Sequence, residues 1–210
     1  MGVTRWLDRI DPDVWQEVVR RVQSPPSTPG EVTAFLAAFG KKPDDSILEL
    51  FEDAQEDAAM RPYALNSLLE LTATAESWDL DKACTLGFES LPGMLPALVP
   101  LRLIFEMKGL DTALPASCDR VDTGLFGCMS AARTRTCLEA IAPFPSIQTV
   151  CAALRDLKPS GLSRLLGTRT GAAALAAKLE ADYFAVHWSS LVAAISETGR
   201  RGHLLGLGLG

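Results

Sequence analysis

The densest group of chemistry-bearing residues is Trp78-Asp79-Leu80-Asp81-Lys82, two carboxylates and an ammonium set around an indole. Carboxylates beside a lysine can hold a polar ligand, and a histidine brought to them can move protons near neutral pH. His187 is the histidine joined to this group, so Trp78, Asp79, Asp81, Lys82 and His187 form the candidate site. The same residues have a plainer use. Asp79 and Asp81 stand two apart, so a regular helix would not place both on one face. One can cap the helix that follows, while the other pairs with Lys82 or faces water.

A hydrolase would use His187 or His203 as base and Ser189, Ser190 or a cysteine as nucleophile, but no nucleophile-elbow motif surrounds the adjacent serines. His187 shares the apolar side of its helix with Trp188, where packing is its ordinary role. Cys84, Cys118, Cys128, Cys137 and Cys151 show no close CxxC pairing, so they read as buried small hydrophobes rather than metal ligands. No cofactor is expected. Gly206-Leu207-Gly208-Leu209-Gly210 lacks the P-loop lysine and a following helix, and Gly161 to Gly171, with Arg164 and Arg169, lacks phosphate-loop spacing.

These residues must be positioned by a largely helical chain. Gly2 to Ile10 alternates imperfectly as a first strand, and Asp11-Pro12 starts a helix carrying Trp15, Val18, Val19 and Val22. Pro25, Pro26 and Pro29 punctuate a turn. Val32, Phe35, Leu36 and Phe39 mark a second helix, and Pro43-Asp44-Asp45-Ser46 opens a third with Ile47, Leu48 and Phe51. Leu65, Leu68, Leu69 and Leu71 form another stripe, and a short helix is expected from Asp79 toward Leu91. Ser117 to Asp122 reads as loop. Gly124 to Met129 reads as a strand, after which Ser130 caps a helix. Phe184, Trp188, Leu191 and Ile195 share one face of the last helix, which runs through Gly202 into a closing strand, His203 to Gly210. The expectation is one α+β domain over residues 1–210, predominantly helical, with a small sheet that includes the N-terminal and C-terminal strands.

Several segments resemble the YfbM-like family, small bacterial proteins of unknown function. The opening Met1-Gly2-Val3-Thr4-Arg5-Trp6-Leu7-Asp8-Arg9-Ile10-Asp11 is similar to its first strand and helix cap. Leu80-Asp81-Lys82-Ala83 with Cys84, Gly87 and Phe88 is the strongest local likeness. Gly124 to Ser130 and Tyr183 to Gly210 resemble its internal strand-to-helix passage and its terminal helix and strand. Cys84 and Gly87 stand where the family usually has tryptophan and histidine. The resemblance implies an α+β domain and a cytoplasmic location, and supplies no activity, cofactor or catalytic residue.

Composition narrows the function further. The 48% apolar content fits a folded core, and the net charge of −6 argues against nucleic-acid binding. No apolar run approaches the roughly 20 residues of a membrane span. The leading expectation is a non-enzymatic interaction or regulatory protein, including an immunity-like role against a basic protein partner. The alternative is a small-molecule-binding hydrolase. A self-associating structural domain is a third class, and the oligomeric state is open.

Overall fold

The computed structural model describes residues 4–21, 26–106, 126–157 and 168–209. Strands β1 (Thr4–Ile10), β2 (Thr74–Asp81), β3 (Phe126–Met129) and β4 (Leu204–Leu209) form an antiparallel sheet ordered β2-β1-β4-β3. The expected α+β architecture is present: a mostly helical body around a small sheet that contains both terminal strands.

Register decides which residues reach which side. Leu7 stands opposite Trp78 and Leu207, whereas Asp8 stands opposite Ser77 and Gly206. Side chains alternate along a strand, so Leu7, Trp78, Leu80, Leu205 and Leu207 share one face, and Asp8, Ile10, Cys128 and Leu204 the other. Both faces are covered, and the hydrophobic core falls into two clusters accordingly.

The Asp8 face packs with α1 (Pro12–Arg21), α2 (Pro29–Ala37), α3 (Asp45–Glu56) and α4 (Arg61–Ala73). Their starts follow local chemistry. Asp11 accepts the Asp13 amide at 2.9 Å, Thr28 and Glu31 form a capping box, and Asp44 accepts the Ile47 amide at 2.9 Å. These caps fix where α1, α2 and α3 begin, and their apolar faces pack them against the sheet.

The Leu7 face packs with the remaining helices. These are α5 (Lys82–Phe88), α6 (Leu91–Met94), α7 (Arg102–Glu106), α8 (Ala131–Ile141), α9 (Ile147–Asp156), α10 (Thr168–Leu179) and α11 (Asp182–Arg201). Trp188 of α11 is fully buried: its indole N–H donates to the Phe144 carbonyl at 3.0 Å and its ring meets Phe88 edge-on. α11 ends at Gly202, whose φ of 69° is the left-handed turn that releases the chain into β4.

One element departs from the sequence reading. Thr74–Asp81, which the sequence does not mark as a strand, pairs along β1, and the helix expected after Asp79 follows it from Lys82. Backbone pairing outweighs the weak strand preference of its acidic residues. The expected loop at Ser117 to Asp122, Cys118, Gly124, Leu125, and Gly161 to Gly167 lie outside the described residues, as does the Lys82 side chain. Among the described residues, no helix is long and apolar enough to cross a membrane.

Candidate functional site

The residues singled out from sequence divide between the faces and the end of β2. Trp78 is half-buried and packs against the Leu7-side core. Asp79, two residues from Asp81 on a strand rather than a helix, is exposed and stands opposite Trp6. Lys82 is the first residue of α5. Asp81 and His187 do meet. The Asp81 backbone N–H points to His187 Nδ1 at 3.5 Å, and the Asp81 carboxylate accepts the Ala83 amide at 2.6 Å as the cap of α5.

Tyr183 completes this junction. Its hydroxyl donates to Asp81, which holds the Asp81 carboxyl below the usual range, with help from backbone amides and the His187 charge. The same bond holds the Tyr183 phenol above its ordinary value. Tyr183 also stacks edge-on against His187 at 4.9 Å. Burial, then the Asp81 charge, pushes the neighbouring Cys84 thiol up to about 11, so it stays protonated at neutral pH and is a poor nucleophile. Ser189 donates back to the Ala185 carbonyl within its own helix at 2.9 Å. His203 lies elsewhere, beside Arg9 and Asp11.

A different set of polar groups converges on the opposite side of the sheet. Asp8 is only 1% exposed, and neither carboxylate oxygen has a hydrogen-bond partner among the described residues. The buried Thr74 hydroxyl is likewise unpaired there. Both residues line a cavity of about 340 Å³ between the sheet, α3 and α4. Ser67 and Glu70 reach it from α4, Ser77 from β2, and Lys41 from the segment before α3.

The electrostatics follow from this burial. Loss of water raises Asp8 from an ordinary 3.8 to about 6; the Ser77 and Thr74 hydroxyls nearby pull it down, and the Asp79 charge adds a small upward push. Burial and then the Asp8 charge raise Glu70 from 4.5 to about 7. Lys41 sends its ammonium to the Thr74 carbonyl at 3.0 Å rather than to either carboxylate. An unpaired buried carboxylate is costly to keep, and groups held this way gather at functional sites.

Comparisons with protein-family models, curated proteins and solved structures find no match for this chain. The YfbM-like likeness therefore transfers no residue roles, and the chain's own geometry carries the functional reading. Among the described residues, no group of three or more His, Cys, Asp or Glu side chains is placed to hold a metal ion.

Asp8 and Glu70 belong to no motif that the sequence marks. Asp8 alternates with Leu7, so it reads as a solvent-facing strand residue. A usable signal lay in Ile10 and Leu204, apolar residues on the Asp8 face that require this face to be covered too. Glu70, set between Leu69 and Leu71, is a carboxylate inside an apolar run.

Proposed function

We propose that this protein binds a small polar molecule in the cavity between the sheet and the α3–α4 pair. The observation that carries this reading is Asp8: a carboxylate buried against an open space, with no charged partner, no hydrogen bond of good geometry and only the Ser77 and Thr74 hydroxyls close by. A folded protein rarely leaves such a group unsatisfied. A ligand in the cavity supplies the absent partner, and the volume lies within the range of small-molecule sites.

This reading stays within the non-enzymatic class that composition favours, and makes the recognised partner a small molecule. His187 and Ser189 are not among the residues lining the cavity, so the hydrolase alternative draws nothing from it. We take the chain as one binding unit, since both helical layers share one sheet. A cytoplasmic setting belongs to the same proposal: Cys84, Cys128, Cys137 and Cys151 are free buried thiols, which suits a reducing compartment.

The test is a thermal-shift screen of small polar compounds on the wild-type chain and on Ser67→Trp, which fills the cavity from α4. Ligand at about 100 times its Kd stabilises by about 2.7 kcal/mol. Compounds that raise Tm in the wild type and not in the folded variant support the reading. Shifts that survive Ser67→Trp, or their absence across a broad library, oppose it.

A further inference from the structure

We infer that the ligand is a small organic cation, carrying an ammonium or guanidinium group that docks on Asp8. This rests on the cavity being the binding site and names the chemistry it selects. Three acids and one base line the space: Asp8, Asp44 and Glu70 against Lys41. Asp44 is engaged as the α3 cap, accepting the Ile47 amide at 2.9 Å and the Ser46 hydroxyl at 2.7 Å. Lys41 is turned to the Thr74 carbonyl. Asp44 and Lys41 offset each other in charge, so the balance left to recognise a ligand is negative, and it is deepest at Asp8.

The charged groups that act on Asp8 across this space are mostly acidic. From β2 it faces the Asp79 charge and the Ser77 and Thr74 hydroxyls, and from α4 the Glu70 carboxyl. A cation beside Asp8 restores the pairing that burial removed. Its N–H groups can donate to the Asp8 oxygens more strongly than the nearby hydroxyls do, and a guanidinium can do so in parallel. Ile47, Leu50 and Leu71 give the same cavity an apolar wall suited to an alkyl portion. The volume exceeds what a bare ion fills, and no three-ligand metal set stands among the described residues. An organic cation fits both facts.

Isothermal titration of the full chain tests this with butylamine, butylguanidine, the neutral 1-butanol and calcium chloride. The amine and the guanidine should bind at least about tenfold more tightly than butanol, and Asp8→Asn should remove about tenfold or more of that affinity. Glu70→Gln should weaken binding less, and Lys41→Met should strengthen it. At pH 6.5, buffers of different ionisation enthalpy should reveal protons released as the cation binds. Butanol binding as tightly as the amines, with Ser67→Trp abolishing both, overturns the cation and leaves the cavity standing. Calcium binding that depends on Asp8 while the amines fail overturns the organic class. Amine binding unchanged in Ser67→Trp overturns the cavity itself. Failure of all four probes overturns the cation, and the broader compound screen then decides the cavity separately.

Discussion

Asp8 on β1 and Glu70 on α4 line one cavity, and the charge of the first helps hold the carboxyl of the second up to about 7. Two neighbouring acids partly withdrawn from water cannot both ionise freely. This relationship governs how the fold should respond to pH.

Stability should rise as pH falls from 8 to 5. Both carboxyls bind protons more tightly folded than unfolded, so their stabilising contribution is complete below 3.8 and 4.5 and is lost as pH rises through about 6 and about 7. At about 1.4 kcal/mol per pH unit, Asp8 contributes on the order of 3 kcal/mol, and the more exposed Glu70 less. Urea midpoints at pH 5 and pH 8 measure the part lost above pH 5, about 1.4 kcal/mol for Asp8. Asp8→Asn should flatten the profile and stabilise the protein at pH 8.

Asp81→Ala should cost about 1 kcal/mol by removing the cap of α5, with Asp81→Asn retaining most of it. Chemical denaturation at pH 7 reads this directly. A loss near zero would show that the Ala83 bond contributes nothing to the helix.

Gly87→Ala should destabilise by about 1–3 kcal/mol, because a Cβ there would lie 2.5 Å from Phe184 Cε1. That ring is confined by Phe88 and Tyr183, so it has little room to retreat. Adding Phe184→Leu to the variant should recover part of the loss in a double-mutant cycle.

Leu207→Ala should cost about 2–5 kcal/mol, since β4 is an interior strand and Leu207 is buried between β1 and the helices beyond it. Deleting Leu204 to Gly210 should abolish cooperative unfolding altogether, as followed by circular dichroism. A truncated chain that still melts sharply would contradict the central place given to β4.

Much of the frame was legible in the chain. The Asp11-Pro12 start, the Asp44 cap and the Phe184-Trp188-Leu191-Ile195 face are local signals, and local hydrogen bonds or helix periodicity realise them. Thr74–Asp81 was hidden because Glu76, Asp79 and Asp81 favour caps and turns in isolation, and only pairing with β1 makes them strand. The cavity was least legible. Asp8 and Glu70 are 62 positions apart, and their environment depends on helices closing over the second face of a sheet whose two central strands come from the two chain ends. The sequence names Asp81 and His187 as separate candidates, and nothing in it marks Tyr183, which lies against both.

The most direct measurement is a carboxyl-carbon NMR titration of the full-length chain, following Asp8 and Glu70 individually. Midpoints near 6 for Asp8 and near 7 for Glu70 are the expected result, with Asp8→Asn lowering that of Glu70. Midpoints at the ordinary 3.8 and 4.5 would place both groups in water, and the cavity would then hold no unpaired charge for a ligand to meet.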